Sequence, residues 1–202
     1  MKKLVELKRN LRPGHVYRRS DLNQWSTAVD RHVSVLVKNG TLQKLRGGLY
    51  YFPTESVFGK TPPDEHRLVQ AFLKDDHFLL TSPNDYNRLG VGTTQLYNKR
   101  VVYNHKRHGE FKLGGKMFTF VSKHRFPKKA SQEFLLVDLL NNLDALAEDP
   151  GFVLKNVSAK LKTMDLKNVK KNLNQYGSLR AKTRLYPLIK KLEQNYESRL
   201  SA

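Results

Sequence analysis

The sequence predicts an α+β fold, and three observations carry that prediction. Two capped helical stretches run into a glycine stop and then a Gly-Gly hairpin within residues 14–53. Three short alternating runs split by glycines lie between residues 100 and 125. Helical periodicity dominates residues 132–202. The expected organisation is a domain at 1–53, a linker at 54–63, and a mixed C-terminal domain at 64–202 with a small antiparallel sheet and several helices.

Each element follows from local chemistry. Residues 1–11 suit a short helix, and Pro13-Gly14 is a turn signal. His15 to Tyr17 suits a short strand. Ser20 is a good N-cap for a helix over 21–25, and Ser26 for a longer one over 27–39. Gly40 stands where a left-handed residue closes a helix. Residues 41–45 and 49–52 flank Gly47-Gly48 and read as a hairpin. The polar stretch Thr54 to Pro63, with Gly59, Pro62 and Pro63, reads as the linker.

A helix is expected over 64–73 with Leu68, Val69 and Phe72 on one face, then a strand at 77–81. A short helix over 83–89 is capped by Ser82 and ended by Gly90. The runs 101–104, 110–113 and 116–122 read as an antiparallel meander. Residues 132–146 read as an amphipathic helix through Leu136, Leu139, Leu140 and Leu143. Two or three further helices follow, interrupted at Gly177 and Pro187. Val29, Val33 and Leu36 are expected in the first core, and Phe72, Leu79, Leu136 and Leu140 in the second.

Composition narrows the function. Hydrophobic residues make up 39% and charged residues 27% of the 202, and there is no cysteine. Disulfides, thiolate catalysis and cysteine-ligated zinc are excluded. No apolar run reaches the length of a membrane span, and no apolar segment follows Met1-Lys2-Lys3. A cytoplasmic location is the expectation. The charge balance is far from ordinary: 37 Lys+Arg against 18 Asp+Glu, a formal net charge of +19. Such a field attracts polyanions.

Residues 14–53 fit a winged helix-turn-helix that binds double-stranded DNA. In that motif the second helix enters the major groove and the first braces it. Val29, Val33, Leu36 and Val37 give the second helix a buried face. Thr27, Asp30, Arg31, Ser34 and Lys38 lie opposite, with Ser26 at the start. This mixture of guanidinium, hydroxyl and carboxylate suits base edges better than a uniform lysine face. Lys44 and Arg46 approach the hairpin tip, and Arg18 and Arg19 precede the first helix, all placed for phosphates. Residues 1–53 carry 11 Lys+Arg against 3 acids, a balance of +8. A solvated polar face, or a winged helix serving protein contacts alone, is the plainer alternative. A second basic stretch, 155–191, carries 11 Lys+Arg against Asp165 alone, a balance of +10. It reads either as the solvated outside of amphipathic helices or as a polyanion surface that extends the DNA footprint, touches RNA or meets an acidic partner.

The run from Ser26 to Pro53 resembles the N-terminal winged helix of the AbiEi-type antitoxins of bacterial abortive-infection systems. The segment from Leu80 to Gln95 resembles the family's stretch before its small sheet. The resemblance covers most of the chain and is firm for residues 15–53 and 78–122. It implies a repressor that binds operator repeats, as a monomer in solution or a dimer on DNA. It also implies a C-terminal domain that counteracts a nucleotidyltransferase-type toxin. A stand-alone regulator, or an RNA- or protein-interaction module built on the basic C-terminal helices, is the alternative.

No catalytic, metal or cofactor site is expected. No histidine spacing suits a metal, and His105 and His108 flank a basic turn that suits phosphate. Asp75-Asp76 reads as a turn. Gly177-Ser178 with Arg180 faintly resembles the start of a nucleotidyltransferase loop. No carboxylate lies between Asp165 and Glu193 to hold the magnesium that chemistry needs.

Overall fold

Packing divides this chain differently from its turn signals. The computed structural model describes residues 2–200, with the backbone alone at residues 196, 197, 199 and 200. In order the elements are α1 (Lys2–Asn10), β1 (Val16–Arg18), α2 (Arg19–Leu22), α3 (Val29–Lys38), β2 (Gln43–Arg46), β3 (Leu49–Tyr51), β4 (Glu55–Ser56), β5 (Gly59–Lys60), α4 (Glu65–Leu73), β6 (Leu79–Thr81), β7 (Arg100–Asn104), β8 (Gly109–Leu113), β9 (Lys116–Ser122), α5 (Gln132–Asn142), α6 (Pro150–Leu161), α7 (Leu166–Tyr176) and α8 (Leu179–Leu200). Short 3-10 turns occupy Pro83–Leu89 and Leu143–Ala145. The protein is thus α+β. It forms two units: Met1–Phe78 with Asn104–Ser122, and Leu79–Tyr103 with Lys123–Ala202. Residues 64–78 and 104–122 therefore belong with the N-terminal part rather than with the rest of 64–202.

In the first unit, Leu7, Leu11, Tyr17, Leu22, Val29, Val33, Leu36 and Leu42 form one core. Their spacing on α3 is the helical stripe expected there. Sheet order is β1-β3-β2, antiparallel, with Tyr17 and Lys44 both opposite Tyr50. Gly40 ends α3 at φ +76°, and Gly48 turns the hairpin at φ +71°, backbone shapes that a Cβ would strain. The helix begins two residues later than expected, and α2 is shorter and N-capped by Arg18 rather than Ser20.

The expected linker is a folded hairpin. The Ser56 hydroxyl accepts from Phe58 N and donates to Gly59 O, closing the turn between β4 and β5. Tyr51 donates to Pro62 O at 3.3 Å, and Lys60 Nζ to Gly40 O at 2.7 Å. These side-chain and carbonyl partners bind the segment to its own unit. Asp64 caps α4 by accepting from Arg67 N. Leu68, Val69 and Leu73 are buried, while Phe72 is half-buried against Phe111 and Phe120. Phe72 thus serves the first unit, not the second. The β8–β9 hairpin reaches the β2–β3 hairpin, with Gly114 N donating to Leu45 O at 3.2 Å.

In the second unit β6 pairs antiparallel with β7, with Leu79 opposite Tyr103. Of the antiparallel meander expected from the runs 101–104, 110–113 and 116–122, the last two form the β8–β9 hairpin, but β7 pairs with β6 and is not a neighbour of β8. The 3-10 turn at Pro83–Leu89 is capped by Ser82 and stopped by Gly90, where a short helix was expected. α5 buries every residue from Phe134 to Leu140, so it is a central helix rather than a one-faced one. α6, α7 and α8 cover it with Val153, Val157, Leu161, Val169, Leu173, Leu185 and Ile189. Gly177 separates α7 from α8; a Cβ there would lie 2.5 Å from Leu173 O. Pro187 lies within α8 and does not end it. Among the described residues, no helix is long and apolar enough to cross a membrane.

Candidate nucleic-acid interface

The candidate site is the outer face of α3 with the β2–β3 hairpin. α3 buries Val29, His32, Val33 and Leu36 on its inner face, and by helical geometry the side chains of the opposite face point away from the core. Thr27 just ahead of it, and Asp30, Arg31, Ser34 and Lys38 on it, are all exposed. Lys44 and Arg46 on β2 are exposed on either side of buried Leu45. The register shifts between Lys44 and Arg46, a bulge of the kind that re-aims strand side chains.

Two residues hold this surface in shape. The Arg19 guanidinium grips Asp30 bidentately, with both N···O distances at 2.6 Å. Arg19 N also donates to Gly48 O at 2.8 Å. One residue therefore ties α2 to both α3 and the hairpin turn. The same grip holds the Asp30 carboxyl below the usual carboxylate range and raises Arg19. Arg19 and Asp30, both expected at the DNA surface, are thus paired with each other and hold that surface in shape. Arg18 is similarly engaged, its Nε 3.2 Å from Asp21 Oδ2 and its backbone N–H donating to the same oxygen.

Ser26 is not part of the surface. It is 3% exposed, with its hydroxyl 2.7 Å from His32 Nδ1 and accepting from Ala28 N. A polar group this buried is satisfied internally. Sequence reasoning missed His32, which sits on the inward face of α3 among the valines and gives Ser26 its partner.

Two other features lay outside the sequence reading. Arg46 stacks over the Phe72 and Phe111 rings, 5.4 and 4.9 Å from their centroids. Arg107 does the same, at 4.6 and 5.9 Å. The Asp75 side chain accepts from His77 N and pairs with Lys106 at 2.9 Å, the turn role expected of it. Of His105 and His108, His105 stacks on His77, ring centroids 5.0 Å apart. Among the described residues no three His, Asp or Glu side chains gather as a metal site.

No family model and no curated protein matches the sequence. Among solved structures, the chain is similar to the RV2827C protein from Mycobacterium tuberculosis. The two share 15% identity at a TM-score of 0.58, over 93% of this chain and 74% of that one. At that identity the likeness is one of fold.

The second unit holds a different polar cluster. Asp138 is fully buried on α5 and accepts from Tyr86 at 2.8 Å and from Tyr103 at 2.9 Å. Lys123 Nζ lies 3.4 Å from Asp138 and 3.6 Å from the Tyr103 ring centroid. Burial, and then the Asp138 charge, pushes both tyrosine hydroxyls well above their ordinary range. Both phenols therefore stay protonated and donate to the carboxylate, which is how a lone buried charge is compensated.

Proposed function

We propose that this protein binds double-stranded DNA through a winged helix-turn-helix at residues 14–53. The observation that carries the reading is the outer face of α3. Thr27, Arg31, Ser34 and Lys38 stand exposed beside Lys44, on a helix that Arg19 locks to its neighbours. The order helix, strand, two helices, hairpin supports it, as does the net charge of +19. α3 then lies in the major groove, Arg31 reads a base edge, and Lys44 holds a phosphate. The resemblance to the AbiEi-type antitoxins extends this to a repressor of its own operon that also counteracts a nucleotidyltransferase-type toxin.

The test is a titration of the full chain with duplexes from its own upstream region and with a scrambled duplex. Arg31→Ala reduces the preference for the upstream duplex by about 1–3 kcal/mol, the worth of one base contact. Lys44→Ala weakens both duplexes alike. Equal binding of both duplexes by a folded wild-type chain overturns the operator reading. A second reading is favoured by one observation: Arg125, Lys167, Lys170 and Lys171 line a common surface recess in the second unit. There an RNA or acidic protein would bind, and the same titration with single-stranded RNA reads it.

A further inference from the structure

We propose that Arg46 and Arg107 form a clamp for a backbone phosphate, carrying the nucleic-acid footprint from the β2–β3 hairpin onto the turn between β7 and β8. The two guanidiniums come from positions 61 residues apart in sequence, yet both lie over the same pair of rings, Phe72 and Phe111. The rings are 5.2 Å apart at an interplanar angle of 56°. Phe72 also packs 5.2 Å from the fully buried Phe120, so the platform is part of the core.

Both arginine side chains are exposed, and among the described residues neither pairs with a carboxylate. The neighbouring acids are already engaged: Asp75 holds Lys106, and Glu65 holds Lys116 at 2.7 Å. Two like charges drawn to one aromatic platform, neither paired with a carboxylate among the described residues, make a locally positive spot. A planar guanidinium fixed on an aromatic face keeps its donor edge free, and that edge matches a phosphate's paired oxygens.

The backbone beneath Arg107 is fixed as well. Asn104, 1% exposed, accepts from Lys106 N at 2.8 Å and from Arg107 N at 2.7 Å, and donates to Arg107 O at 3.0 Å. Arg46 is held through β2, where Leu45 O accepts from Gly114 N. The ligand would therefore meet a pair already arranged, with little ordering left to do.

The inference rests on the DNA reading of the same hairpin, and one experiment separates the two. The side-chain Nε–Hε resonances of Arg46 and Arg107 in the full chain are followed by NMR during titration with the upstream duplex and, separately, with inorganic phosphate. Arg9 and Arg12 report non-specific accumulation. Alongside, the salt dependence of duplex binding is compared between wild type and Arg107→Ala. The clamp predicts saturable shifts at Arg46 and Arg107 in both titrations. It also predicts a salt slope flattened by about 0.9 in Arg107→Ala, the loss of one phosphate contact. Duplex binding with an unchanged slope and unmoved Arg46 and Arg107 overturns the clamp and leaves the DNA reading standing. Phosphate shifts at both arginines without duplex binding overturn the DNA reading and leave the clamp standing. Shifts no larger than those of Arg9 and Arg12, with no duplex bound, overturn both.

Discussion

Residues 1–53 and 155–191 carry the same number of cationic side chains, eleven each, and among the described residues three in each region meet a carboxylate. In the first these are Lys3, Arg18 and Arg19. In the second they are Lys170, Arg180 and Arg184, paired with Glu193 and Asp144. Charge alone does not separate the two. What separates them is chemistry and support. Six of the first eleven are arginine, against two of the second. Arginine's planar fork matches guanine and phosphate edges, while lysine acts as a mobile point charge. In the first region four exposed cations, Arg31, Lys38, Lys44 and Arg46, lie on one braced helix and its hairpin, while the others sit on α1, just after it and on α2. In the second they are spread over the outer sides of α6, α7 and α8, whose inner sides fill a core. On the proposed DNA-binding reading, the first surface discriminates and the second attracts.

The largest expected effect lies away from either surface. Asp138→Ala leaves the buried Tyr86 and Tyr103 hydroxyls without their acceptor, a loss of about 1–3 kcal/mol for each orphaned donor. Thermal melts read the destabilisation. At a temperature where the variant stays folded, its preference among duplexes matches wild type. An altered preference would place the second unit in recognition and break the contrast drawn above.

Next comes the recognition helix. Arg31→Ala costs about 1–3 kcal/mol against the preferred duplex and little against a scrambled one. Lys171→Ala weakens both by the same small factor. Fluorescence anisotropy titrations of the four combinations decide it. A sequence-dependent loss in Lys171→Ala, with none in Arg31→Ala, reverses the assignment of the two regions.

These side chains also mark how far the sequence could be read. The stripe of Val29, Val33 and Leu36, the Gly40 stop and the Gly47-Gly48 turn are local signals, and the structure forms each where its residues specify. Arg107 was illegible as a partner of Arg46 because their meeting depends on β8 and α4 converging on one pair of rings. Residues 54–63 have the composition of a linker, yet Tyr51 bonds the Pro62 carbonyl, Thr61 N bonds the Thr54 carbonyl and Lys60 Nζ bonds the Gly40 carbonyl, contacts no turn signal announces. Asp138 was hidden for the opposite reason: a single acid in a leucine-rich run reads as the polar edge of an amphipathic helix. Only the tyrosines brought to it reveal a buried cluster.

The smallest effect concerns the paired carboxylates. Asp30 and Asp144 both have acidities strengthened by arginine: Arg19 for the first, and Arg184 then Arg180 for the second. A carboxylate held below its unfolded value stabilises the fold above that ordinary value, near about pH 4. The contribution is lost as pH falls through the lower folded value. Asp30→Asn and Asp144→Asn should therefore melt below wild type at pH 7, with the difference closing in strong acid. Both pairs are exposed, so the difference is small. A difference constant across pH would show that the substitutions act through packing instead.

The contrast between the two regions can be put to one direct measurement, because the chain contains no cysteine. Ser34→Cys on α3 and Lys171→Cys on α7 each introduce a unique attachment point for a short photo-crosslinker. Each labelled full-length protein is irradiated with the upstream duplex at physiological salt, and the crosslinked bases are mapped. The DNA-binding account predicts a crosslink from position 34 at one or two adjacent base positions, and none or a diffuse one from position 171. A localised crosslink from position 171 with none from position 34 would contradict it.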